Sequence, residues 1–185
     1  VNPQACAEAI RALIKELNLD LKVAVVLGDD LLEDKDKFLD SGVQEMYSDE
    51  RFPEVDKIAS INAYLGAFPI AQALNDGADI VITGRSVDSA VTLAACIHTY
   101  GWKEDEYDKL ASGSLAGHII ECGTQSTGGN FTDWELVSKN LHMIGYPIVD
   151  VSENGEFICT KSNNTSGLVS FGTVAEQMLY EIGNP

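Results

Sequence analysis

Two short apolar runs, each followed by a polar turn and then a helical pattern, place the strongest constraint on the fold. The runs LKVAVVL (21–27) and ADIVITG (78–84) are rich in β-branched residues and almost continuously apolar. Strands that helices cover on both faces have this composition, whereas half-solvated strands alternate apolar and polar residues. The sequence therefore predicts an α/β fold, with a mainly parallel sheet flanked by helices in Rossmann-like layers.

Helices are expected on both sides of these runs. Apolar residues recur at three-and-four spacing after Pro3, which indicates an amphipathic helix. Pro3 would lie in the first turn of this helix, and Asn2 would be its N-cap. A second apolar helix is expected from Ala90 to about Tyr100. Each of these helices would cover the predicted sheet through its apolar face.

The second half of the chain carries turn and capping signals. Asn154-Gly155 between two β-rich stretches predicts a β-hairpin near 148–160. Thr132-x-x-Glu135 reads as a capping box and predicts a helix from about Asp133 to His142. A second box, Thr173-x-x-Glu176, predicts the start of the last helix.

Composition bounds the function. The 29 acidic and 12 basic residues give a formal net charge of −17, which argues against nucleic acid and against anionic membrane surfaces as partners. No apolar run approaches transmembrane length. The four scattered cysteines are typical of free thiols in a reducing compartment, so we expect a cytoplasmic protein. The 185 residues fit one α/β domain, and the abrupt start and end of the chain indicate a piece of a longer one.

Polar residues follow both predicted strands. Asp29 and Asp30 come after the first strand, and Arg85 and Asp88 come after the second. The carboxyl ends of parallel strands face a ligand crevice, so these four side chains are candidate ligand-binding residues. The aspartates could equally cap the helices that follow, and Arg85 could equally pair with a neighbouring aspartate.

The stretch 116–134, AGHIIECGTQSTGGNFTDW, is the richest in chemistry. His118, Glu121 and Cys122 fall at i, i+3 and i+4 on one helical face and are the candidate catalytic residues. Such a face could hold a nucleophile with its base or part of a metal site, but no zinc-ligand spacing is matched and no metal is predicted. The loop that follows is either a ligand site or a tight interhelical turn. Its candidate ligand-binding residues are Gln125, Gly128, Gly129 and Asn130.

Several stretches in the same order resemble the acyclic terpene utilisation AtuA family. They are VNPQACAEAIRAL (1–13), LKVAVVLGDDL (21–31), ADIVITGRSVDSA (78–90), LAGHIIECGTQSTGGNFTDW (115–134) and GLVSFGTVAEQMLYEIGNP (167–185). The resemblance implies a role in the catabolism of citronellol- and geraniol-type branched acids, which proceeds through acyl-CoA thioesters. It also implies that the chain is an internal part of a longer domain. It implies no particular reaction, cofactor or catalytic residue.

Three functions are consistent with these patterns. The first is an enzyme, or part of one, that takes an acyl or acyl-CoA ligand: Arg85 would hold an anionic group, amides around Gly128-Gly129 would cradle an oxyanion or phosphate, and His118 or Glu121 would act as acid or base. The second is a non-enzymatic binding or scaffolding subunit of an acyl-CoA carboxylase system, with a homo-oligomer or a carboxylase as partner. The third is a metal-dependent lyase that uses Asp29, Asp30 and Glu121.

Overall fold

The computed structural model describes residues 2–182, and these residues form two compact units. The first unit ends at Val87 and the second begins at Asp88. Together they contain six α-helices and two small sheets within the described residues, which makes the protein a mixed α/β structure. A single domain over the whole chain stays a prediction.

The first unit has a parallel strand pair with helices. Its elements are α1 (Pro3–Glu16), β1 (Val23–Val26), α2 (Lys35–Asp40), α3 (Ala67–Asn75) and β2 (Ile80–Thr83). Strands β1 and β2 pair in parallel, from Val23 opposite Ile80 to Val26 opposite Thr83. The strands are half-buried rather than fully buried, and this sheet has two strands, so the larger parallel sheet of Rossmann-like type is not confirmed.

The predicted start of α1 is confirmed in detail. Asn2 is the N-cap, and its side-chain oxygen accepts a hydrogen bond from the Ala5 N–H at 3.0 Å. Pro3 occupies the first turn, where the lack of an N–H costs nothing because that group would have no partner inside the helix.

The second unit contains three helices and a hairpin. Its elements are α4 (Ala90–Tyr100), α5 (Tyr107–Glu121), β3 (Pro147–Val151), β4 (Phe157–Lys161) and α6 (Phe171–Leu179). Strands β3 and β4 are antiparallel, which confirms the hairpin, and Gly155 in its turn has a φ of 90°. Helix α4 has the predicted bounds and ends at Gly101, which adopts the left-handed conformation.

The helix predicted over 133–142 is wrong. The chain there forms only short 3₁₀ turns, at Trp134–Leu136 and Leu141–Met143. The reason is that Thr132 is engaged elsewhere: its N–H donates to Glu176 Oε2 of α6 at 2.9 Å. Glu176 is therefore not the capping partner of Thr173 either, and the capping box of α6 is formed by Ser170 and Thr173.

Small residues let α5 approach α4 closely. Gly113, Ala116 and Gly117 are buried on α5. A Cβ at Gly117 would lie 2.7 Å from the backbone oxygen of Ser89, so the two helices come together at backbone distance. This contact fixes the position of the last turn of α5, which carries the candidate catalytic residues.

No helix among residues 2–182 combines the length and the apolar character needed to cross a membrane. The four cysteines are free thiols: Cys96 is buried, Cys122 and Cys159 are half-buried, and Cys6 is exposed. Burial raises the pKa of the Cys96 and Cys159 thiols.

Candidate functional site

In the first unit, Asp29 ties together the segments that follow both strands. Its Oδ2 atom accepts hydrogen bonds from the Arg85 backbone N–H at 2.7 Å and from Asn62 Nδ2 at 3.0 Å. The Arg85 amide is the main reason why the pKa of Asp29 lies below its usual value, because both donors favour the ionised carboxylate. The structure thus brings the predicted residues Asp29 and Arg85 together, through the arginine backbone.

The Arg85 side chain lies on an aromatic ring. One guanidinium nitrogen donates to the Tyr64 hydroxyl at 3.2 Å, and the guanidinium carbon lies 4.5 Å from the Tyr64 ring centroid. Asp30 has a local role, since its Oδ1 atom accepts from the Leu32 N–H at 3.1 Å at the start of a 3₁₀ turn. Ligand binding by Asp29, Asp30 and Arg85 stays a prediction.

A cleft of about 500 Å³ runs along β1 in the same unit. It is lined by residues 22–27, by Pro69, Gln72, Ala73 and Asp76 of α3 and its C-terminal end, and by Ala78. Most of these side chains are apolar, and none of the candidate residues predicted from the sequence lines the cleft.

In the second unit, His118 is held in a fixed orientation between α5 and α6. Its Nε2 atom lies 3.1 Å from the carbonyl oxygen of Met178, and its ring stacks on Tyr180 with an interplanar angle of 10°. The buried Gln177 of α6 donates its side-chain N–H to the His118 carbonyl oxygen at 2.7 Å. Helix α6 thus contacts both the backbone and the imidazole of His118.

These contacts leave one acceptor atom of His118 facing another acceptor. A carbonyl oxygen can only accept, so the Met178 carbonyl places the ring proton on Nε2. In the neutral ring with its proton on Nε2, Nδ1 carries a lone pair, and this atom lies 3.2 Å from Glu121 Oε1. An imidazole lone pair and a carboxylate oxygen repel each other unless a proton or another positive species lies between them.

Glu121 is the more deeply buried partner. Its side chain is 10 % exposed, and within the described part of the chain its Oε2 atom is buried without a hydrogen-bond partner. Burial, followed by the negative charges of Asp88 and Glu181, raises the pKa of Glu121, and His118 only partly opposes this. A buried carboxyl group with a raised pKa beside a histidine is typical of a functional site.

A series of hydrogen bonds from Cys122 through Tyr180 to Glu181 lies beside the His118–Glu121 pair. Tyr180 and Glu181 were not predicted from the sequence. Cys122 Sγ lies 2.6 Å from the Tyr180 hydroxyl, which donates to Glu181 Oε1 at 2.8 Å. The thiol and the carboxylate both raise the pKa of the Tyr180 phenol. No spacing rule could have found Tyr180 and Glu181, because they lie about sixty residues after α5 and reach it only through the packing of α6.

His118, Glu121 and Glu181 also meet the distance requirement of a metal site. One ligand atom from each lies within 4.8 Å of the other two. Glu181 was not predicted from the sequence. Cys122, which was predicted together with His118 and Glu121, is not one of the three possible ligands but lies beside them, with its Sγ atom 4.0 Å from Glu121 Oε1.

The predicted ligand loop forms a compact 3₁₀ turn, Gly123–Thr127, after α5. The N–H of Gly128 donates to the Gln125 carbonyl at 2.9 Å, and that of Gly129 donates to the Thr124 carbonyl at 2.8 Å. Both amides donate within the turn, and ligand binding by Gly128 and Gly129 stays a prediction. The Asn130 side chain donates to Gln125 Oε1 at 3.4 Å. Ligand binding by the side chains of Gln125 and Asn130 stays a prediction.

The comparisons with known proteins identify the family. The sequence-family model of the acyclic terpene utilisation family protein AtuA matches residues 1–185, the whole chain. No curated protein and no solved structure was found to match. The chain therefore belongs to the acyclic terpene utilisation AtuA family.

Proposed function

We propose that this member of the acyclic terpene utilisation AtuA family is a cytoplasmic enzyme, or part of one, that acts on the carboxyl end of an acyclic branched acid or its CoA thioester. Membership of an acyclic terpene utilisation family supports this substrate class, and the cluster of His118, Glu121 and Cys122 supports the location of the site. The free thiols are in keeping with a reducing compartment.

The observation that carries the proposal is the opposition of His118 Nδ1 and Glu121 Oε1 at 3.2 Å. Both atoms are held in place, one by the Met178 carbonyl contact of the ring and the other by burial. A proton or a cation between these two acceptor atoms would lower their mutual repulsion. A group at this position could therefore polarise the carbonyl group of a substrate, or transfer a proton to or from an atom beside that carbonyl group. Cys122 adds a thiol beside Glu121, and cysteine thiols can form thioesters with acyl groups.

Growth tests the proposal in cells that use an acyclic terpenoid as their carbon source. We expect the gene for the protein to restore growth to a deletion strain, and we expect the His118→Asn and Glu121→Gln variants not to restore it at equal protein levels. His142→Asn and Glu135→Gln are matched controls, since both residues are exposed and lie on 3₁₀ turns of the same unit. Growth with either cluster variant equal to wild type would reject the proposed site.

Binding without chemistry is a second candidate, and the cleft along β1 favours it. Its volume of about 500 Å³ and its mostly apolar lining fit an aliphatic chain. In this case the protein would be a binding or scaffolding subunit, and a carboxylase or a second copy would be its partner. Ala73→Leu, which narrows the cleft, would abolish growth on the terpenoid, whereas the two cluster variants would leave growth unchanged.

A further inference from the structure

We propose that His118, Glu121 and Glu181 bind a divalent transition-metal ion, which takes the position between the opposed acceptor atoms of His118 and Glu121. The inference deepens the proposed function, because such an ion would polarise the carbonyl group of the substrate. The metal-binding inference rests on the proposed function only for the identity of the substrate, an acyclic branched acid or its CoA thioester.

The orientation of the His118 imidazole is that of a metal ligand. Histidine ligands of metals commonly donate their second ring N–H to a backbone carbonyl or a carboxylate, which fixes the tautomer and leaves the other nitrogen for the ion. His118 has this arrangement, with Nε2 3.1 Å from the Met178 carbonyl oxygen and Nδ1 directed at Glu121.

The unpartnered oxygen of Glu121 also favours an ion. A single proton shared between His118 Nδ1 and Glu121 Oε1 would relieve the repulsion of these two atoms, but it would leave Glu121 Oε2 buried without a partner among the described residues. A cation reached by both carboxylate oxygens would give Oε1, Oε2 and Nδ1 a partner together, which one proton cannot do.

Glu181 lies close enough to serve as the third ligand. Its carboxylate lies within 4.8 Å of the other two ligand atoms and is oriented by the Tyr180 hydroxyl at 2.8 Å. Ligand atoms at about 2.1 Å from one ion lie at most about 4.2 Å apart. In a tetrahedral site the separation falls to about 3.4 Å, so a shift of about 1.5 Å or less in the exposed Glu181 side chain completes the site.

The donor set indicates the class of ion. One imidazole nitrogen with two carboxylates suits Zn²⁺, Mn²⁺ or Fe²⁺, whereas Mg²⁺ and Ca²⁺ prefer oxygen ligands alone. Three protein ligands also leave coordination positions for a substrate oxygen, as in catalytic zinc sites.

Calorimetric titration of the chelator-treated protein with Zn²⁺ and with Mn²⁺ tests the inference. We expect one ion per chain, with the affinity lowered more than roughly 100-fold by His118→Asn or Glu121→Gln, since loss of a ligand exceeds the effect of losing an outer partner. Tyr180→Phe, which releases Glu181, is expected to lower it roughly 10-fold. His142→Asn is the control and is expected to leave the affinity unchanged.

A second measurement on the unaltered protein guards against variants that fail to fold. The chain has three histidines, so ¹⁵N imidazole spectra resolve them individually, and His98→Asn and His142→Asn assign the two signals that do not belong to His118. We expect Zn²⁺ to shift the Nδ1 signal of His118 alone. Binding that leaves this signal in place, or the absence of stoichiometric binding, would overturn the inference. Because no terpenoid is present, failure here with an intact growth phenotype removes only the metal, and metal binding without that phenotype removes only the proposed function.

Discussion

Gln177, fully buried on α6, donates its side-chain N–H to the carbonyl oxygen of His118 at 2.7 Å. The last four carbonyl groups of an α-helix have no partner within the helix, and His118 supplies one of these in α5. Gln177 thus caps the end of α5 and anchors α6 to the turn that carries the candidate site.

Replacement of Gln177 by methionine keeps the side-chain length but removes the donor. We expect Gln177→Met to lower the free energy of unfolding by about 1–3 kcal/mol, because a partly buried carbonyl oxygen loses its hydrogen bond. Urea denaturation provides the measurement. The exposed Gln72, which bonds to Asp76 on the surface, is the control, and Gln72→Met should change stability by no more than about 0.5 kcal/mol. Equal effects of both substitutions would show that the cap contributes nothing.

The raised pKa of Glu121 has a defined consequence for stability. As the pH rises above the ordinary glutamate value of 4.5, the unfolded chain loses this proton while the folded protein keeps it. Protons bound in excess by the folded state make stability fall with rising pH, until the pH passes the raised pKa. Asp88, Glu181 and His118 are the charged or titratable groups that act on Glu121.

We expect Glu121→Gln to flatten this decline, because glutamine does not titrate. Urea midpoints measured with a chelator between about pH 5 and pH 8 test the expectation. Glu135→Gln, at an exposed position, should leave the slope as in wild type. A slope unchanged by Glu121→Gln would mean that Glu121 carries no extra proton in the folded protein.

Gly84 leaves the space that Asp29 occupies. A Cβ at Gly84 would overlap the Asp29 carboxylate, which would have to leave the Arg85 amide and Asn62. We expect Gly84→Ala to lower stability by about 1–3 kcal/mol, the usual range for overpacking. Gly66→Ala is the matched control, since no atom lies within 4 Å of its Cβ position and its φ is −87°. Thermal unfolding of both variants decides, and equal melting temperatures would contradict the role given to Gly84.

Two glycines of α5 are expected to respond differently to alanine, although alanine favours a helix by about 1 kcal/mol at either position. At Gly117 the new Cβ meets the Ser89 backbone at 2.7 Å, whereas at Gly113 it meets the end of the Leu93 side chain at 2.8 Å and the Trp102 ring at 2.9 Å. Backbone yields less readily than a side chain. Denaturant unfolding should therefore show a larger loss for Gly117→Ala than for Gly113→Ala, and the reverse order would contradict the backbone contact.

Local sequence patterns correctly predicted those elements that depend on interactions between residues close together in the sequence. Asn2 capping α1, the bounds of α4 and the hairpin around Gly155 are examples, because caps, turns and periodicity depend on near neighbours. The helix predicted from about Asp133 does not form, because the N–H of Thr132 in its capping box donates to a distant partner, Glu176. A tertiary hydrogen bond of this kind leaves no trace in local spacing.

The candidate site follows the same rule. Helical spacing placed His118 near Glu121, and the structure brings them to 3.2 Å. Tyr180 and Glu181 join them only through the packing of α6 on α5, which depends on the buried Gln177. The glycine loop could be a ligand site or a tight turn on composition alone, and the hydrogen bonds of Gly128 and Gly129 show that it forms a compact turn.

Calorimetric titration with a citronellol- or geraniol-type branched acyl-CoA thioester tests the central claim most directly. We expect saturable binding by the wild-type protein that is lost, or weakened at least tenfold (about 1.4 kcal/mol), in His118→Asn and retained in His142→Asn. Ala73→Leu, in the cleft along β1, should leave this binding intact. Binding that survives His118→Asn and disappears in Ala73→Leu would contradict the account, since the acyl group would then be held away from the His118–Glu121 pair.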